Sequence, residues 1–479
     1  MTLTYLGPTV GAGDLIVPAA SEVALDPLLA AAVVVQRMAS VPSSYVDGGA
    51  WVNEGTGGTA LDLDGAHASA GTGKGHPALV RPTDPAVFAV HADTNVVRAF
   101  TTPDSAAVGI TGDIDLRAKW RAIGNTEALE NRSAVVGRIQ TLDTGVGGYD
   151  DVDYELSVDW DGEAQLIWTD SSDALQGVST SGAGLDPYSW NELKATLDVD
   201  NGAGGHTTTF YEKVSGSWVQ IGSPIVSVGT TDIRDNGGPL MACDFATMVE
   251  YVEVRSGIDG TLAASFYADD AASTPLGQGA TLVSSGTGET WTCAGMGSAI
   301  FANERAFVIS DHLKFMTTDD ALLDAGTADR ALAFRMVVPA IADGSGEVFA
   351  QKVTGQIGAP AGAGWQFLDI NIPSPPLDGF GIVVGDGNPA NAKFARSNTG
   401  WTVGEHAVVI NLDRDGNGVV YVDGTARGTA ALTGLGSIST STDVILGAGE
   451  VVWLCKDRVE YDRVLTTAEV AELSALLGA

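Results

Sequence analysis

Apolar and polar residues alternate one by one along much of this chain. Ile114, Leu116, Ala118 and Trp120 are separated by Asp115, Arg117 and Lys119, and Tyr154, Leu156, Val158 and Trp160 by Glu155, Ser157 and Asp159. A period of two puts each set on one face of an extended segment, so both runs predict half-buried β-strands. Asp161-Gly162 then offers a two-residue turn before Leu166 and Trp168, which reads as a hairpin, and Phe210 to Ile221 reads as another, turning at Ser215-Gly216. The later part of the chain uses the same grammar. Leu332, Phe334, Met336 and Val338 alternate, Trp365, Phe367 and Ile370 belong to a further strand, and Phe380 to Val384 run into Gly385-Asp-Gly-Asn388. Ala407 to Gly424 is the clearest hairpin. Only the end predicts a well-formed helix, where Thr466-Thr-Ala-Glu469 is a capping box followed by Val470, Leu473 and Leu477 on one face. The expected fold class is all-β, with antiparallel β-sandwich or jelly-roll domains and a short C-terminal helix.

The two parts also repeat words in the same order. Tyr45-Val-Asp47 matches Tyr267-Ala-Asp269, Gly55-Thr-Gly-Gly-Thr59 matches Gly286-Thr-Gly-Glu-Thr290, and Phe100-Thr-Thr-Pro-Asp104 matches Met316-Thr-Thr-Asp-Asp320. Leu197-Asp198 matches Leu412-Asp413, and the Val-Glu-Tyr ending at Tyr251 matches the one ending at Tyr461. Kept order with drifting offsets implies two diverged copies of one domain, expected over residues 39–258 and 259–479 and joined near Ser256-Gly-Ile-Asp-Gly260. Residues 1–38 lack a counterpart and are expected to be an N-terminal arm, with Ser21 or Asp26 capping a short helix that holds Pro27 in its first turn. Its run Leu28 to Val35 has no polar side. The expectation is that this arm is buried against another chain; a strand added to the edge of the first domain is the alternative.

Charge and cysteine usage narrow the function classes. The chain has 479 residues and carries 60 Asp and Glu against 25 Lys and Arg, a net charge of −35, which repels nucleic acid and anionic membranes. Cys243, Cys293 and Cys455 lie far apart with no Cys-x-x-Cys spacing, so neither a disulfide framework nor a structural zinc site is expected. The opening residues lack a cationic leader, and Leu28 to Val35 is too short to span a bilayer, so neither export by a signal peptide nor membrane insertion is expected.

Catalytic signatures fail on spacing. Gly71-Thr-Gly-Lys-Gly75 lacks the hydroxyl residue of a phosphate loop, no Gly-x-Ser-x-Gly elbow occurs, and the six histidines form no His-x-x-x-His pair. Glu155 to Glu163 holds four carboxylates, but their spacing is wrong for a glycosidase pair and the run breaks at a turn. The expectation is a protein that is not an enzyme.

Val409 to Gly424, the short run Val444-Ile-Leu-Gly447, and Val459-Glu-Tyr-Asp-Arg-Val followed by the Ala/Glu/Leu helix resemble the end of a concanavalin A-like, laminin-G-type jelly roll. The resemblance covers roughly residues 260–479 and extends to the first copy through the repeat. Paired domains of this kind in an acidic Gly/Ala/Thr-rich chain are similar to the minor tail proteins of phages that infect actinobacteria. That resemblance implies a virion protein of the tail tip or fibre contributing to host-surface adsorption. Its implied partners are other phage tail proteins, further copies of itself and a cell-wall glycan. A purely structural tail or capsid-decoration protein is the alternative, and a secreted lectin-like protein the third reading. The family often uses calcium, for which Asp413, Asp415 and Asn417 offer alternating oxygens; a Gly- and Asn-rich turn accounts for the same residues without metal. Asp150-Asp151-Val-Asp153 is a second carboxylate cluster of this kind. For sugar contact Trp401, with Asn398 beside it, is the most loop-like of the ten tryptophans.

Overall fold

The computed structural model describes residues 26–38, 41, 49–64, 78–80, 86–88, 98–122, 132–139, 152–159, 162–180, 185–186, 189–244, 247–270, 281–293, 299–301, 306–309, 315–317, 321–324, 326–338, 348–354, 362–370, 379–397, 402, 404–447 and 453–478. The expected all-β class holds. Among the described residues four antiparallel sheets form two sandwiches, each closed around a large buried apolar core. The alternating runs became strands Ile114–Ala122, Val152–Asp159, Arg330–Val338, Ala363–Ile370 and Gly379–Asp386. Ile114, Leu116, Ala118 and Trp120 all point into the first core, as period two requires. Ser215 and Gly216 both take positive φ, 50° and 84°, the two left-handed residues that a tight two-residue hairpin demands. Thr466 and Glu469 form the reciprocal capping box that starts helix Thr467–Leu477.

The domain boundaries fall elsewhere than the repeat suggested. The cut at 258/259 lies inside a hairpin, because Thr247–Ser256 pairs with Thr261–Tyr267 in one sheet from Ser256↔Thr261 to Tyr251↔Tyr267. The first sandwich also takes Thr281–Val283 and Thr290–Cys293, the latter pairing with Arg98–Thr101. Conversely, Val34–Arg37 pairs with Trp453–Tyr461 in the second sandwich, Val34 opposite Glu460 and Arg37 opposite Asp457. Val33, Val34, Met38, Val41, Trp51, Leu61 and Leu63 lie in the second core. The two repeats have exchanged their opening segments: that of the first completes the second sandwich, and that of the second completes the first.

The exchange follows the repeat closely. Trp51 bridges Leu63, and Asp64 bridges Met316; in the other sandwich Leu282 pairs with Trp291, and Cys293 pairs with Phe100. Two short ribbons lie between the sandwiches in sequence, Ala78–Val80 on Ala306–Val308 and Ala86–Phe88 on Ala299–Phe301. Residues 26–38 are therefore no free arm. Asp26 caps a single helical turn, Pro27–Ala30, its carboxylate accepting from Leu28 N at 2.9 Å. Leu28, Leu29, Ala32 and Val35 then pack on Ala331, Ala333, Val459 and Tyr461 of the same chain. Burial there removes the apolar run from water without a second subunit, and it lies in the second sandwich, so the edge of the first domain is corrected as well.

A buried polar network ties the exchanged strand down. Arg458, wholly buried, donates to Gln36 Oε1 at 3.2 Å and to Glu460 at 2.8 Å, and Arg330 donates to Glu460 at 3.2 Å. Gln36 in turn donates to the carbonyls of Trp51 and Leu61. Glu460 thus serves two buried guanidiniums, and further donors of Arg458 and Arg330 go to the neutral oxygens of Gln36 and of the Leu322 carbonyl. At Gly55 an added Cβ would sit 2.6 Å from Val33 O, so the turn can lie on this strand only without a side chain.

Candidate functional site

Strand register makes the two sandwiches comparable position by position. Ile114–Ala122 corresponds to Arg330–Val338, each flanked by two long strands. On the outward face of this sheet in the second sandwich stand Ala331, Ala333, Ala407, Val409, Val459 and Tyr461. The C-terminal helix covers them with Val470, Leu473 and Leu477, and Pro27–Ala30 adds Leu28 and Leu29. Each buried aliphatic side chain there contributes about 1.5–3 kcal/mol, which explains why a short helix stays docked.

The matching positions of the first sandwich are Asp115, Arg117, Glu192, Lys194, Glu253 and Arg255. The chemistry has inverted from apolar to charged. Arg117 reaches Asp115 at 2.7 Å and Asp259 at 2.6 Å; Lys194 reaches Asp259 at 2.7 Å and Asp115 at 3.7 Å. Arg255 pairs with Glu253 at 2.7 Å, Lys119 pairs with Glu250, and Lys213 pairs with Glu192. Five of the 25 cations of the chain thus lie on one sheet face, each beside a carboxylate, so a strongly acidic protein presents a locally balanced surface here.

Aromatic rings are set into this mesh. Lys194 lies 4.8 Å from the Tyr211 ring centre, Lys119 5.4 Å from Trp190, and Lys213 and Arg117 5.5 and 5.8 Å from Trp218. Tyr251 and Tyr267 lie 6.2 Å apart; Tyr267 donates to Glu253 at 2.8 Å, and Tyr251 donates to Glu192. Burial, then the hydrogen bond to Glu253, pushes the Tyr267 phenol up to about 12, and burial with Glu192 raises Tyr251 as well. Both phenols therefore remain donors at neutral pH. The hydrogen bond from Lys194 holds the Asp259 carboxyl below its usual range, and the bond to Asp115 raises Arg117. Half-buried rings beside fixed donors and acceptors suit a ligand that has both apolar faces and many hydroxyls.

The residues picked from sequence lie elsewhere. Asn398 and Trp401 fall outside the described residues, as do Asp150 and Asp151. Asp153 is buried against Arg138 at 3.1 Å and Arg234 at 3.4 Å, where it balances cations. Asp413, Asp415 and Asn417 form the hairpin turn: Asp413 N donates to Asn417 O, and Asp413 Oδ1 accepts from Asp415 N at 3.1 Å. One oxygen of Asp413 thus serves its own turn, and among the described residues no three His, Cys, Asp or Glu side chains converge as metal ligands would. The matched tyrosines part company too. Tyr251 opposes Lys119, whereas Tyr461 opposes Ala331, the counterpart of Asp115. Tyr461 thus corresponds to Arg255, and it lies under the helix with its hydroxyl donating to Leu28 O.

Alternation by itself assigns Asp115, Arg117 and Lys119 only to the polar face of a half-buried strand. The signal available was Tyr211, Tyr251 and Trp218 in the same phase as those charges, together with alanine and valine at the matching positions of the second repeat.

Comparison with known proteins adds little beyond architecture. No family model and no curated protein matches the chain. Solved structures similar to parts of it include the binding domain of Paraclostridial Mosquitocidal Protein 1, at 12% identity and TM-score 0.29 over 36% of this chain and 43% of that one. The Botulinum neurotoxin serotype G binding domain is similar at 14% identity and TM-score 0.30, over 37% and 44%. A botulinum neurotoxin type C structure, titled for interaction with two ganglioside molecules, is similar at 11% and 0.30, over 42% and 46%. The match spans less than half the length of each of these chains, and likeness of this extent carries no argument about function.

Proposed function

We propose that this chain is a non-enzymatic, glycan-binding virion component, a minor tail protein of a phage that contributes to adsorption on the host surface. The glycan contact is the outward face of the first sandwich, around Trp218, Tyr211, Glu192, Tyr251 and Arg117. One observation carries the reading: this face is charged and aromatic where its counterpart is aliphatic and sealed under a helix. Covering the apolar face accounts for the second sandwich as a structural unit, while the balanced face of the first offers stacking planes beside hydrogen-bonding groups. The virion role rests on the laminin-G-type ending and on the paired, acidic, Gly-rich composition.

The test is binding of the whole chain to an array of actinobacterial envelope glycans, arabinogalactan included, alongside Trp218→Ala. Loss of one ring contact of about 1–1.5 kcal/mol weakens binding roughly tenfold. The alternative is a structural tail or decoration protein that binds only virion neighbours. It prevails if the intact chain ignores every envelope glycan while particles lacking it fail to assemble.

A further inference from the structure

In the second sandwich, the sheet opposite the helix-covered one bears a cavity of about 330 Å3 on its outward side. It lies where Phe315–Thr317, Val444–Leu446 and Val348–Thr354 run side by side. Half-buried Met316, Val353 and Ile445 form an apolar wall. The Gln351 amide, the Ser441 and Thr442 hydroxyls and the Asp443 carboxylate form the rest. The frame is held from the inner side: Lys352, 2% exposed, donates to the Thr440 and Thr442 carbonyls at 2.8 Å each and pairs with Asp324 at 3.1 Å. Met316 exchanges main-chain hydrogen bonds of 2.7 and 3.1 Å with Asp64, so the exchanged segment secures one wall. Gln366 donates to Gln351 Oε1 at 2.8 Å, which leaves Nε2 as the donor that the Gln351 amide offers the cavity.

The same frame recurs in the first sandwich without this chemistry. Arg138 takes the place of Lys352 and donates at 3.3 Å to Gly238 O, the counterpart of Thr442 O. Gly137 stands for Gln351, and Gly237-Gly238-Pro239 for Ser441-Thr442-Asp443. Met241, Ile139 and Val152 close the place as a small buried apolar cluster, whereas Ile445 and Val353 stay half-buried and Val353 faces Gly364. Four polar side chains thus surround an open space in one copy where the other has three glycines and a proline. The buried cation alone suffices to hold the loop, so those four side chains are available to a ligand.

We infer that this cavity binds a single ring of a neutral sugar, at a site separate from the outward face of the first sandwich. Hydroxyl groups need donors and acceptors at close quarters: Asp443 accepts, Gln351 Nε2 donates, and the Ser441 and Thr442 hydroxyls do either. The C–H groups of the ring need the apolar wall. None of the residues lining the cavity is cationic, and Lys352 is engaged by carbonyls and Asp324, which disfavours uronic or phosphorylated sugars. An amine would use the one carboxylate but gains nothing from the Gln351 donor. The volume lies at the lower end of small-molecule sites, about 300–1,000 Å3, which suits one ring and not a chain of them.

The test is NMR of the whole chain labelled at its seven methionine methyls, with Met316 assigned by Met316→Leu. Galactose, arabinose, glucose and mannose are titrated through the millimolar range, each as the free sugar and as its methyl glycoside. The expected result is a saturable shift of the Met316 methyl with at least one of them, weakened about tenfold by Gln351→Leu and by Asp443→Asn while the other methionines keep their positions. Glucuronate and ethylamine should leave it unmoved. Stronger binding of a glycoside assigns the site to the end of a glycan and stronger binding of a free sugar to a soluble saccharide; either supports the neutral-sugar class. Trp218→Ala should leave the Met316 titration unchanged, so this site and the first-sandwich face fail separately. A Met316 methyl that no neutral sugar moves, that glucuronate or ethylamine moves as far, or that titrates in both cavity variants as in the parent overturns the inference.

Discussion

Two tryptophans give a crossed test of the exchanged segments. Trp51 belongs to the first repeat in sequence, yet it is 1% exposed in the second core, its ring 5.0 Å from Phe307 and 5.6 Å from Phe315. Trp291 belongs to the second repeat, yet it is fully buried in the first core, 5.3 Å from Phe266, with Nε1 donating to Ser265 O at 2.8 Å. Removing about 200 Å² of buried ring at ~25 cal/mol per Å² costs about 5 kcal/mol, in line with the usual ~3–5 kcal/mol for tryptophan to alanine in a core. At about 2–4 °C per kcal/mol for a domain near 200 residues, the affected sandwich melts roughly 6–20 °C lower. Hydrogen exchange read by peptide locates the damage. Trp51→Ala should speed exchange in Arg330–Val338 and Gly404–Leu412 and leave Ile114–Ala122 and Asn191–Asp198 as they were; Trp291→Ala should do the reverse. Damage that follows sequence order, with Trp51→Ala loosening Ile114–Ala122, would refute the exchange, as would equal loosening of both sandwiches by either substitution.

Two further outcomes concern charge. The Arg463 hydrogen bond, with the Thr466 cap, holds the Glu469 carboxyl at about 2 against an ordinary 4.5, so its contribution to the helix is complete above pH 4.5 and is lost as pH falls toward 2; carboxyl NMR should follow that titration, and Glu469→Gln should flatten the acid fraying of Thr467–Leu477. Arg138, 2% exposed, holds Asp104, Asp153 and Asp235 together, and only Asp153 among them is buried. Arg138→Leu leaves that carboxylate with Arg234 as its remaining cation, beside the Asn236 N–H, and should cost about 3 kcal/mol in urea unfolding, located in the first sandwich; a change below about 1 kcal/mol, within the range of ordinary exposed pairs, would contradict this account of the cluster.

Local physics made the class, the strands and the last helix legible. Period-two alternation sets which side chains share a face whatever the strand pairs with, and the Thr466–Glu469 box acts within four residues, so Ile114–Ala122, Arg330–Val338 and Thr467–Leu477 could be read from composition of the segment alone. Of the repeated words, Phe100 and Met316, and Leu197 and Leu412, lie on strands of like pairing, whereas Tyr251 and Tyr461 take different register positions. What a strand pairs with is a different question, because both cores accept the same apolar pattern. Val34–Arg37 would satisfy period two in either sandwich; it lies in the second because Gln36 meets Arg458 there and Leu28 and Leu29 find Tyr461 and the covering helix. The outward faces were likewise settled only by assembly. Arg117 and Ala333 each alternate with core residues, but one is held among carboxylates and rings and the other lies under a helix some 130 residues further along the chain, a contact that spacing in the sequence does not encode.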